Sequence, residues 1–363
     1  MSPLVVTYRF PATPSEAADF AHALLLEQTI ETPLAVARFY PQVEANRLGK
    51  VLAVESCGDG TFLARLELPS GTALTDPAQW LNVIFGNASL HAGVYLEDVE
   101  VPEAMRAALK GPTFGIEGLR SRAGVHNRPL VCSALKPAGL TTGELALLAT
   151  RFAEGGIDYL KDDHYLSSQP EAPFEDRVRA IVDALEEVAA RTGHRTRYVA
   201  NLSGGPLEVL EQAKKARDLG ADAVLVAPML VGLPTMRYLA DTLHLPIFAH
   251  PAFCGNGQVP HPLLMGRLFR LYGADAVIFA GYGGRFNVPQ AVCASIAEQA
   301  RAWWNPIRPS IPVPAGGMTR DRASELVHFY GQDTMLLIGG SLLESGPHLA
   351  SATAALMEAV RNA

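Results

Sequence analysis

The chain has 363 residues, 48% apolar and 18% charged, with a net charge of −7. That length exceeds one small domain and suffices for a barrel of about 250 residues plus a second domain. The acidic balance argues against general nucleic-acid binding, which favours a basic face, and no apolar run approaches the roughly 20 residues of a membrane helix.

Residues 1–16 lack the basic start and long apolar segment of a signal peptide, so a cytoplasmic protein is expected. Residues 4–10 alternate like a strand, and Thr13-Pro14-Ser15-Glu16 reads as a helix start leading to an Ala/Leu-rich helix that ends near Glu27. Residues 51–54, 61–68 and 94–99 read as further strands, and 76–85 as a second helix. This mixture predicts an α+β domain of the ferredoxin-like kind over residues 1–115, with Gly111 and Pro112 as linker. Cys57, Cys132, Cys254 and Cys293 are far apart and form no CxxC pair, which disfavours a zinc or disulfide framework.

Beyond the linker, short apolar strands alternate with amphipathic helices. Strands are readable at 130–136, 157–161, 197–202, 223–228, 246–250, 276–280, 311–315 and 335–338. Val178, Ile181, Val182, Leu185 and Val188 mark one face of a helix between the second and third. Eight such units predict a (β/α)8 TIM barrel over residues 116–363, closed by a C-terminal helix at 351–362. No GxGxxG follows the first strand to support an open doubly wound sheet.

Polar residues collect at the C-terminal strand ends, where a barrel carries its chemistry. The first strand ends in Lys136, the second in Lys161-Asp162-Asp163-His164, the third in Asn201 and the fifth in His250. The sixth runs into Gly281-Tyr282-Gly283-Gly284-Arg285; the last two end in Gly316-Gly317 and Gly339-Gly340. Alternation puts Lys161 and Asp163 on one face of the second strand and Asp162 and His164 on the other, until the strand end relaxes and both faces can turn inward. A lysine among carboxylates and an imidazole at a strand end is a solvated turn, a Schiff-base site, or a metal site completed by a modified lysine. Flanking carboxylates are expected to raise the lysine's pKa, which disfavours the Schiff base. Glycine pairs suit a phosphate, because bare N–H groups close around it. Cys254 near His250 lacks a placed base, and Tyr165, Tyr198 and Trp80 read as packing residues.

Several segments resemble the RuBisCO large subunit, and more closely the RuBisCO-like proteins, over nearly the full chain. They are GPTFGIEGLR (111–120), ALKPAGLT (134–141), GGIDYLKDDHYLSSQP (155–170), AHPAF (249–253), PAGG (314–317) and LLIGG (336–340). The resemblance implies a carbamate formed by CO2 on Lys161 and a Mg2+ bound by Lys161, Asp163 and His164. His164 stands where the family has a glutamate, and imidazole is a less typical Mg2+ ligand. Lys136 matches a general base, His250 a substrate contact, and Gly316, Gly317, Gly339 and Gly340 phosphate-binding positions. Glu27 and Asn87 match residues that complete a partner subunit's site, which implies a homodimer with shared active sites.

Departures from the family's carboxylases are as informative. Ala138 replaces a lysine, Pro251 an arginine and Phe279 a histidine, while Arg285 is the cation left in the sixth loop. Fewer cationic contacts imply a substrate with one phosphate and an apolar far end. The expected function is an isomerase or enolase acting on a phosphorylated ketose, with 5-methylthioribulose 1-phosphate of methionine salvage as substrate, and not CO2 fixation. The alternatives are 2,3-diketo-5-methylthiopentyl-1-phosphate enolase, a decarboxylase of a phosphorylated 3-oxo sugar acid, and a non-catalytic sugar-phosphate-binding protein. The resemblance implies that the enolase has an N-domain lysine after a Gly-x-x-Ser segment; residues 86–95 here contain none.

Overall fold

A computed structural model describes residues 3–69, 76–255 and 257–363. They form two compact units, Met1–Lys110 with Gly255–Leu264, and Gly111–Cys254 with Met265–Ala363. No described helix is long and apolar enough to cross a membrane.

The first unit is an antiparallel sheet of β1 (Leu4–Pro11), β2 (Lys50–Ser56), β3 (Thr61–Leu68) and β4 (Tyr95–Glu100), in the order β2-β3-β1-β4. Period-two alternation lets β1 bury Val6, Tyr8 and Phe10 on one face. Helix Ala17–Thr29 contacts β2, β3 and helix Pro77–Phe85. Asp76 caps the latter, accepting from the N–H groups of Ala78 and Gln79. Tyr8 OH donates to Ile84 O at 2.6 Å and ties that helix to the sheet. The order of strands and helices is the ferredoxin-like one.

The second unit is a barrel of eight parallel strands: β5 (Leu130–Leu135), β6 (Tyr159–Asp162), β7 (Arg197–Asn201), β8 (Ala223–Val226), β9 (Ile247–Ala249), β10 (Ala276–Ala280), β11 (Ile311–Ala315) and β12 (Met335–Leu337). Their order is β11-β10-β9-β8-β7-β6-β5-β12, and β11 also contacts β12, so the sheet curls nearly closed. Strands covered on both faces read as continuous apolar runs, which is why all eight are visible in the sequence. The predicted helix face of Val178, Ile181, Val182, Leu185 and Val188 is buried along helix Phe174–Thr192.

Inward side chains of alternate positions, among them Cys132, Tyr159, Val199, Leu225, Phe248 and Ile278, fill the barrel. Ile116 and Leu119 join them from helix Gly115–Ala123, and Tyr159 OH donates to Leu119 O at 2.8 Å. That helix plugs the end of the barrel opposite the site. The four cysteines are free thiols.

Candidate active site

The same alternation that fills the barrel builds its mouth. Ala134 pairs with Lys161 across the β5–β6 ladder, so both point inward. Lys136 lies just past β5 and Asp163 just past β6. Lys136 Nζ stands 2.7 Å from Asp163 Oδ2. His164 Nδ1 lies 3.4 Å from Asp163 Oδ1, which also accepts from Tyr165 N at 3.1 Å. His250, just past β9, stacks on His164 with ring centroids 3.9 Å apart and planes 15° apart.

Asp162, on the other face of β6, turns outward. It accepts from Arg177 Nε at 3.2 Å, Tyr198 OH at 2.8 Å and Asn201 N at 3.0 Å, all buried. Asn201 Nδ2 in turn donates to His164 O and Leu166 O, fixing the loop that carries Asp163 and His164. Asn201 is visible in the sequence by its place at a strand end; Arg177 carries no such signal.

Burial sets the charges here. It opposes the charge on Asp163, but the bonds from His164 and Lys136 and the nearby Lys161 outweigh it, holding the carboxyl well below its usual range. Lys161 is 3% exposed and donates from Nζ to Asp162 O at 2.8 Å. Its pKa is lowered, because burial exceeds the opposing pull of Asp163. The expectation that flanking carboxylates raise it is thereby corrected. The electrostatic objection to an imine falls with it, although so enclosed an amine admits a molecule the size of CO2 more readily than a sugar. His250 is pushed down to about 2 by burial and by the charges of Lys161 and His164. Its Nδ1 accepts from Ala252 N at 3.1 Å, so the neutral ring carries its proton on Nε2.

Across the mouth, Gly316 and Gly317 adopt φ of +87° and +104° just past β11. Gly339 and Gly340 follow β12, with open space where a Cβ would project. Ser341 Oγ donates to Met318 O at 3.2 Å and joins the two glycine loops. Arg285 is exposed, its guanidinium 4.8 Å from the Phe286 ring. In the first unit, Asn87 Nδ2 donates to Glu27 Oε1 at 2.7 Å and Glu31 Oε1 at 2.9 Å. These three line a cavity of about 330 Å³ with Gln28, Arg47 and Asn82.

Fold and mouth together define a (β/α)8-barrel protein with a charged site at the C-terminal strand ends and an added α+β domain. The family profile described as ribulose bisphosphate carboxylase large chain, catalytic domain, matches residues 115–363. A Rhodospirillum rubrum protein named 5-methylthioribulose-1-phosphate isomerase is 41% identical over 362 residues, covering 99% of this chain and 96% of that one. A Bacillus pumilus protein named 2,3-diketo-5-methylthiopentyl-1-phosphate enolase is 35% identical over 283 residues, 76% of this chain and 70% of that one. The crystal structure of a RuBisCO-like protein from Rhodopseudomonas palustris has a TM-score of 0.91 and 38% identity, covering 100% of this chain and 99% of the other. The chain belongs to the RuBisCO large-chain family, among its RuBisCO-like proteins.

That family implies Mg2+ and a lysine carbamate. Among the described residues no three His, Cys, Asp or Glu side chains form a ready metal site. The residues present nevertheless fit the group. Lys161 is held toward the free amine, the form that adds CO2 and releases a proton. The ionised Asp163 and the adjacent His164 supply an oxygen and a nitrogen donor beside it.

Proposed function

We propose that this protein is an isomerase of a phosphorylated ketose, 5-methylthioribulose 1-phosphate, acting by proton abstraction alpha to the carbonyl. The observation that carries this reading is the Lys136–Asp163 pair at 2.7 Å, beside an enclosed lysine held toward its neutral form. An enolisation requires a base for the alpha proton and an electrophile at the carbonyl oxygen; Lys136 suits the first role, and Asp163 would help to hold a metal for the second. A relative bearing the isomerase name spans nearly the whole chain, and another bears the name of an enolase, so proton transfer next to a carbonyl suits both.

Lys136 Nζ, once it has left Asp163 and given its proton to solvent, takes the alpha proton as a neutral amine and returns it to the neighbouring carbon. His250 donates from Nε2 to a substrate oxygen and stays neutral throughout. The N–H groups of Gly316, Gly317, Gly339 and Gly340 bind the phosphate, and Arg285 adds a cation nearby. A Mg2+ held by Asp163, His164 and the carbamate of Lys161 would supply electrophilic stabilisation of the charge developing on the substrate oxygens. Glu27 and Asn87 would complete the site of a second subunit.

The test is NMR in D2O with 5-methylthioribulose 1-phosphate, Mg2+ and bicarbonate. Solvent deuterium should enter the sugar and an isomer should form, and Lys136→Ala and Lys161→Ala should each abolish both. No exchange with this substrate would sink the assignment. The diketo phosphate and 3-oxo acid phosphates are the next substrates, and inertness toward them as well would leave a sugar-phosphate-binding protein.

A further inference from the structure

Three side chains beside the glycine loops have no part in the proton transfer, yet they converge on one backbone segment. Tyr282 begins the loop after β10. Its OH donates to Glu325 Oε1 at 2.8 Å. Arg322 forks onto the same carboxylate, Nε to Oε2 at 2.9 Å and Nη2 to Oε1 at 2.8 Å, and its Nη1 donates to Tyr282 O at 3.1 Å. The Tyr282 ring packs edge-on against Phe329 at 4.6 Å. An isolated surface pair at i,i+3 contributes little. A two-point fork that also grips a tyrosine hydroxyl and a carbonyl fixes geometry.

What it fixes is the phosphate side of the mouth. Gly281 N donates to Ala315 O at 2.8 Å and Arg285 N to Gly316 O at 2.9 Å, so the two loops run side by side. A Cβ on Gly317 would meet Arg285 N at 2.9 Å, and one on Gly284 would collide with Gly316 O. No described group accepts from the N–H of Gly316 or Gly317. They are left directed by a backbone that the neighbouring loop holds in place.

We infer that Tyr282, Arg322 and Glu325 are positioning residues, which lock the loop after β10 against Gly316 and Gly317 and so preset those amides for a single phosphate group. This rests on the reading of the glycines as a phosphate site. Preset donors bind without the cost of ordering a loop, so the lock should act on phosphate affinity.

The experiment titrates inorganic phosphate into the full-length protein by calorimetry, comparing wild type with Gly317→Ala, Glu325→Ala and Tyr282→Phe. Tyr282→Phe keeps the ring packing and guards against a folding defect. Wild type should bind and Gly317→Ala should not. Glu325→Ala should bind about tenfold more weakly and Tyr282→Phe about threefold, the scale of one or two lost hydrogen bonds. KM for the phosphorylated ketose should rise in parallel, and kcat should change less than KM. Wild-type affinity in both folded lock variants would overturn the inference and leave the phosphate reading intact. So would a fall in kcat with phosphate affinity unchanged. A wild type that takes no phosphate would overturn the reading first, and the inference with it.

Discussion

Asp162 and Asp163 are one step apart, and the pleat sends them to opposite sides of the barrel wall. Asp162 is fully buried against Arg177 and Tyr198, whereas Asp163 faces Lys136 across the mouth. Asp162→Ala leaves the Arg177 guanidinium buried without its counter-charge, a loss of about 3–5 kcal/mol. Asp163→Ala should remove activity with a much smaller shift in the urea midpoint. Equal midpoints for the two variants would contradict the division of labour. His250 gives a pH prediction. Its pKa is lowered from 6.5 to about 2, so below 6.5 the unfolded chain binds a proton that the folded one refuses. Its contribution to stability is therefore present above 6.5 and is lost as the pH falls toward 2. The ring is partly exposed, so the loss per pH unit is well under the full ~1.4 kcal/mol. Nitrogen NMR should show His250 neutral and protonated on Nε2 from about pH 7.5 down to about pH 5, and His250→Gln should soften the acid decline in urea stability. A His250 resonance titrating near its ordinary value would sink this.

At the scale of elements, helix Gly115–Ala123 has the clearest structural task. Leu119 is fully buried in the floor of the barrel, under the inward residues of several strands. Leu119→Ala should cost about 2–5 kcal/mol in urea unfolding, since so many strands meet there that the cavity cannot collapse. Activity at a temperature well below the midpoint should survive, because the plug lies at the far end from Lys136. Residues 111–120 carry part of the family resemblance, but the helix itself shows no periodic signal. It mixes Gly115, Glu117, Gly118, Arg120 and Arg122 with two apolar anchors, too few to show a period. Its hold on the rest comes from Arg120, which is buried and bonded to Asp333, 213 residues away. The short helices Leu34–Ala37, Pro41–Arg47 and Glu103–Leu109 escape for the same reason of length. The eight barrel strands are legible as apolar runs, although the readings overrun several ends by one or two residues. Lys136 and His250 lie one residue past their strands and look like strand, whereas Asp163 lies past its strand in the sequence and in the structure alike. Their place at the mouth follows from that position alone. The charge state of Lys161 does not, because adjacent carboxylates are visible in a sequence and enclosure is not.

The whole-molecule question is where Glu27 and Asn87 act. Both belong to the Met1–Lys110 unit, whereas Lys136, Lys161 and Asp163 belong to the barrel. Asn87 is held between Glu27 and Glu31, which fixes the arrangement within its own unit. The family resemblance assigns Glu27 and Asn87 to a partner subunit's site, and that assignment has a distinctive arithmetic. Lys136→Ala and Glu27→Ala homodimers should each be inactive. If two subunits share each site, random reassociation makes half the dimers mixed, and each mixed dimer has one site with both residues intact. Co-expressed variants should then recover about a quarter of wild-type turnover. If each site draws Glu27 and Lys136 from one chain, every site in the mixture lacks one of them, and mixing recovers nothing. A single-subunit mass by light scattering would independently exclude a shared site. Recovery near a quarter would mean that the isolated subunit is not the catalytic unit, so dilution below the dimer's dissociation constant should remove activity while both units stay folded.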